Sequence, residues 1–119
     1  MGWVVEFYRD SKGREPVVDF IDSLPVDAQA KALRLIDLLA RYGVLLKEPY
    51  TKQIKGKLRE LRIIDKVGKV RILYFTYTGK RFILLHGFVK KSGKTPLADI
   101  DVAERRMNDF SARHGGKQL

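Results

Sequence analysis

LRELRIIDKVGKVRILYFTYTGKRFILLHGF, residues 58–88, is the stretch whose reading decides the fold. It holds three runs rich in β-branched and aromatic residues: LRELRII (58–64), KVRILYFTY (69–77) and RFILLHGF (81–88). The turn segments DKVGK and TGK separate them. Connections that short join neighbouring antiparallel strands, so the stretch reads as a three-stranded meander.

Working outward towards the N-terminus, GVLLKEPYTKQIKGK (43–57) reads as a connection with turn residues and growing positive charge. Before it, PVDAQAKALRLIDLLARY (25–42) repeats apolar residues at helical spacing through Ala28, Ala32, Leu35, Ile36 and Leu39. Leu33 and Leu38 widen that face, and Gly43 stands where a helix stops. PVVDFIDSL (16–24) fits a shorter helix opened by Pro16. WVVEFYR (3–9) reads as a strand, with Trp3 and Phe7 on its core side and DSKGREP breaking it. Towards the C-terminus, a last helix is expected from Thr95, whose hydroxyl would cap it, with Pro96 in its first turn. Asp99 and Asp101 early and Arg105 and Arg106 late suit the helix dipole. The helix should end near His114, with residues 115–119 a frayed tail. The order β-α-α-β-β-β-α predicts an α+β fold: one domain over 1–119, a small antiparallel sheet with helices on one face, and the other face open as a groove.

The 119 residues are 45% apolar and 32% charged, a globular composition. No apolar run approaches a membrane span, and the first residues lack the layout of a signal peptide, so a cytoplasmic protein is expected. There is no cysteine, and the two histidines are His86 and His114, which leaves no ready set of metal ligands. The net charge is +10, and its placement matters more than its size. Residues 1–50 sum to −1, residues 51–71 to +6, residues 80–95 to +5 and residues 96–119 to zero. If the two basic blocks fold side by side, they form one surface for a polyanion; the alternative is charge spread for solubility.

KLRELRI (57–63), VRILYF (70–75) and ILLHGFVKKSGKTPLADIDVAERRMNDF (83–110) together resemble the RelE/ParE toxin superfamily, in particular its phage-derived HigB-like branch. The resemblance implies a toxin of a type II toxin–antitoxin pair, a metal-free and cofactor-free endoribonuclease that cuts mRNA on the ribosome. It implies as partner a cognate acidic antitoxin carrying a helix-turn-helix domain. Two other readings stay open: a non-catalytic inhibitor of DNA gyrase, as in the ParE branch, or a nucleic-acid-binding module without toxicity.

The resemblance also nominates site residues. Arg71 matches a groove arginine, implying phosphate clamping; the alternative is a surface arginine at a strand start. Arg62 would contact a phosphate or base, or else pair across the strands with Glu60 or Asp65. HGFVKKSGKTP (86–96) packs three lysines and no acid into eleven residues. Lys90 or Lys91 falls where ribonuclease members carry a functional basic residue, and Lys94 would meet a substrate phosphate. Lys55 and Lys57 would follow the RNA backbone, or be solvated edge charge. His86 is the candidate general base, although its alternation with Phe82, Leu84 and Phe88 also fits a core-facing histidine. Tyr74 and Tyr77 would stack bases or simply pack. One departure stands out. Some ribonuclease members carry a catalytic tyrosine just before or within the last helix, and PLADIDVAERRMNDF has none, so His86 or a lysine would have to take that part, or else activity is weak or lost.

Overall fold

The computed structural model describes residues 2–91 and 93–115. The meander forms as the short turns dictate: β3 (Leu58–Asp65), β4 (Gly68–Tyr77) and β5 (Arg81–Lys90) pair antiparallel in succession. Two further strands extend the sheet. β1 (Val4–Phe7) lies parallel to β5, and β2 (Thr51–Lys55) lies antiparallel to β3. The strand order is β1-β5-β4-β3-β2, so the fold is α+β with a five-stranded mixed sheet. The sequence reading differs here in two ways. The sheet is not purely antiparallel, because the helices between β1 and the meander carry the chain back to start parallel to β5. Residues 51–55 are a strand and not part of the connection, because the edge of β3 offers unpaired backbone groups that TKQIK satisfies.

The helices α1 (Pro16–Asp22) and α2 (Val26–Tyr42) cover one face. Val17, Ile21, Ala28, Ala32, Leu35 and Leu39 pack there on Leu61, Ile63, Val70, Ile72, Tyr74, Phe82 and Leu84. The expected stop holds: α2 ends at Tyr42, and Gly43 adopts φ 59° directly against the Trp3 indole, where a Cβ would collide. Trp3 in turn stacks on Phe82 at 4.7 Å.

The last helix, α3 (Leu97–Gly115), lies on the opposite face. Ile100, Ala103 and Phe110 pack on Leu73, Phe75, Ile83, Leu85 and Phe88. Helices therefore flank both faces rather than one. The reason lies in β4 and β5, which are apolar on both sides through their middles, and each side must be removed from water. Burial of each such large side chain contributes about 1.5–3 kcal/mol. The helix also starts differently from expectation. The Pro96 carbonyl accepts the amides of Asp99 and Ile100, both at 3.1 Å, while the Thr95 hydroxyl turns to the sheet. Apart from Gly115, the expected frayed tail lies outside the described residues.

Candidate nucleic-acid interface

The strands alternate sides with period two, and the register fixes which residues share a face. On the α3 side, Lys52 stands opposite Glu60, Arg62 opposite Arg71, Arg71 opposite Phe88, and Lys69 opposite Lys90. α3 covers the apolar part of that side and leaves this charged end open. The result is a hollow of about 410 Å³. Strands β2 to β5 form its floor, Gly93–Thr95 its rim, and Ile54, Leu97 and Ile100 an apolar wall. Among the described residues five cations line it, Lys52, Arg62, Lys69, Lys90 and Lys94, against a single acid, Glu60.

Glu60 is 1% exposed and organises the floor. Its Oε1 lies 3.4 Å from Arg71 Nε and 3.6 Å from Arg62 Nε. Its Oε2 accepts the Thr95 hydroxyl at 2.6 Å. Arg71, 2% exposed, is wholly buried. It donates from Nη1 to the Val70 carbonyl at 3.2 Å, and its Nε meets Glu60 as an ion pair without hydrogen-bond alignment. Burial lowers the Arg71 pKa and Glu60 partly restores it. Arg71 is thus not among the lining side chains. The resemblance made it a phosphate clamp, whereas here its guanidinium neutralises Glu60 underneath.

Lys90 is the lining cation with the most unusual environment. Only 8% exposed, it carries an ammonium whose pKa burial pushes below the ordinary lysine value. Glu60 opposes that shift, while Arg71, Arg62 and Lys69 add to it. Such a lysine releases its proton more readily than a solvated one. Arg62 reaches the hollow half-buried, and Lys94 lines it exposed on the rim.

The other nominated residues lie elsewhere. Lys91 is exposed outside the lining. Lys55 pairs with Glu104 of α3 at 3.1 Å. Lys57 sits at the β2–β3 turn in a shallow cleft with Arg59 and Thr76. His86 faces α3, because a bulge between Leu73 and Tyr74 breaks the parity of β5. Leu84 pairs with Tyr74 before the bulge and His86 with Leu73 after it. Phe82 and Leu84 therefore belong to the α1–α2 core, and His86 and Phe88 to the other side. His86 Nε2 lies 2.7 Å from Asp99 Oδ1, its Nδ1 lies 3.4 Å from the Arg106 guanidinium, and its ring stacks on Phe88 at 5.7 Å. It is fastened to α3 and does not line the hollow. Tyr74 is 1% exposed, edge-on to Phe82, and Tyr77 packs on Phe110 at 5.0 Å, so both are packing residues.

Lys52, Lys69, Glu60 and Thr95 were missed as members of the site. The hairpin register would have found two of them: once Asp65 faces Gly68, Lys69 and Glu60 fall on the Arg62–Arg71 side of the sheet. Among the described residues no group of three or more His, Cys, Asp or Glu is placed to hold a metal ion, and no helix is long and apolar enough to cross a membrane. The arrangement can grip a chain of phosphates and supply a proton beside it.

The family model described as "Phage derived protein Gp49-like (DUF891)" matches residues 19–108, from α1 into α3. That span contains every residue lining the hollow. No curated protein matches the chain.

Proposed function

Because the chain belongs to the Gp49-like phage-derived family, a RelE/Gp49-type toxin family, we propose that it is the toxin of a type II toxin–antitoxin pair and a metal-free, ribosome-dependent endoribonuclease that cleaves mRNA in the cytoplasm. The observation that carries this reading is the hollow itself, where five cations surround one already neutralised carboxylate. Cations that outnumber the acid in one hollow repel one another unless an anion enters, and a polynucleotide brings phosphates at regular spacing.

The chemistry needs no cofactor. A ribose 2′-oxygen attacks the adjacent phosphorus; the 2′-O–P bond forms, the P–O5′ bond breaks, and a 2′,3′-cyclic phosphate remains. The 2′-hydroxyl gives up its proton to solvent water in the open hollow, and the departing 5′-oxygen gains one. Lys90 protonates the 5′-oxygen, and its depressed pKa suits it to that task. Arg62 and Lys94 hold the phosphate oxygens as negative charge grows on them, a contribution of about 2.7–4 kcal/mol for each well-aimed donor. Lys52 and Lys69 track the flanking backbone. His86 takes a supporting place, fixing α3 to β5 through Asp99 and Arg106. An acidic antitoxin segment would fill the same hollow by charge complementarity.

Induced expression is expected to arrest growth, with new mRNA 5′ ends inside translated codons. Lys90→Ala and Arg62→Ala should relieve the arrest while circular dichroism stays unchanged. Broken chromosomes with intact messages would instead favour gyrase inhibition and overturn the ribonuclease reading.

A further inference from the structure

We propose that Glu60 and Thr95 form a pin that sets where Lys94 stands over the hollow, which makes both of them positioning residues for RNA cleavage. The inference rests on the ribonuclease reading of the same hollow, and three observations support it.

The first is the bond itself. Thr95 Oγ1 donates to Glu60 Oε2 at 2.6 Å, joining residues 35 apart in sequence. This is a short hydrogen bond to a charged acceptor, the stronger class of such contacts. The second is the rigidity of the acceptor. Glu60 is 1% exposed, and its other oxygen faces Arg71 and Arg62, so the carboxylate cannot swing to follow a moving chain. An anchor fixed by buried partners transmits its position to whatever it holds. The third is what the hydroxyl forgoes. A threonine just before a proline and a helix would ordinarily cap that helix. Here the Pro96 carbonyl accepts the first helical amides, and the Thr95 hydroxyl crosses to the sheet instead. Gly93, at φ 71°, turns the chain back so that Gly93, Lys94 and Thr95 all border the hollow. Lys94 adjoins the pinned residue, so its backbone, the root of its side chain, is held at the rim.

A purely structural contact would hold the chain without touching the reaction, so the test reads both. Thr95→Val keeps the shape and removes the donor; Thr95→Ser keeps the donor. Trypsin cleavage after Lys94 in the folded protein measures opening of the rim. Single-turnover cleavage of a message on programmed ribosomes measures the reaction. Thr95→Val should speed trypsin cleavage after Lys94 by about tenfold or more, given the strength of a hydrogen bond to a charged group. It should slow the chemical step by roughly 10- to 100-fold, the usual consequence of a reacting group displaced by an ångström, with little change in KM. Thr95→Ser should restore both. A trypsin rate for Thr95→Val equal to wild type overturns the pin. Faster proteolysis with an unchanged chemical step overturns the positioning role. If wild-type protein cleaves no message, the ribonuclease reading falls and the catalytic part of the inference with it, while the trypsin comparison still decides whether the pin exists.

Discussion

The same strand serves two different faces. On one side β4 sends Val70, Ile72 and Tyr74 into the core under α1 and α2. On the other it begins with Lys69 and Arg71 and turns apolar only at Leu73 and Phe75, where α3 arrives. The first face is closed from Val70 to Tyr74. The second is closed for half its length and charged for the rest. Where a helix covers the sheet, the strand residues are oily; where it does not, they are cationic and converge. On the proposed reading, stability and binding are divided between two sides of one element, and substitutions should separate them.

The largest expected effect crosses that division. Glu60→Ala strips a buried arginine of its partner, and chemical denaturation should show a loss of about 3–5 kcal/mol. Replacing both partners by apolar residues, Glu60→Leu with Arg71→Met, should recover most of it. If the single variant is as stable as wild type, Glu60 is not the keystone of the charged side. Next, on the closed face, Ile72→Ala should cost about 2–5 kcal/mol of stability while cleavage per folded molecule stays unchanged. Lys90→Ala should do the reverse: message cleavage falls by roughly 10²–10³-fold with stability retained or slightly raised, because an ammonium is no longer held out of water.

A pH titration sharpens the contrast at Lys90. Its folded-state pKa lies below the ordinary 10.5. As pH rises through that lowered value, the proton donor is lost and cleavage should decline earlier than a solvated lysine would dictate. Stability moves the other way. The unfolded chain still holds its proton in that window, so the penalty for burying the charge is relieved as pH rises towards 10.5. Lys90→Arg should shift the alkaline decline upward; an unmoved decline assigns it to another group. The smallest effect is Lys52→Ala, which should leave stability within about 0.5 kcal/mol and reduce the salt dependence of RNA binding by about one ion.

Much of this was legible in residues 58–88 and the helix before them. Short turns forced the meander, helical spacing revealed α2, and Gly43 marked its stop. The placement of α3 was also written in the chain, in the unbroken apolar runs ILYF (72–75) and FILL (82–85), which need cover on both faces. Other features leave no such mark. TKQIK becomes a strand only because β3 has a free edge beside it. The bulge at Leu73 and Tyr74 slips one backbone residue and turns His86 to the other side, and hydropathy does not register such a slip. The two basic blocks foretold a cationic surface, but not that Arg71 would be consumed beneath it. An isolated arginine between apolar residues reads alike whether it waits for a ligand or answers a buried acid. Only the register, by placing Glu60 and Arg62 beside it, distinguishes the two.

The parallel pairing of β1 with β5 has a consequence for synthesis. β1 is synthesised long before its neighbour, which starts at residue 81, and the rim that completes the hollow follows later still, at 93–95. Contacts so distant in sequence form late and slowly. A nascent chain therefore carries no finished hollow while most of its own message is being read, and a premature stop codon before residue 93 yields a fragment without the rim.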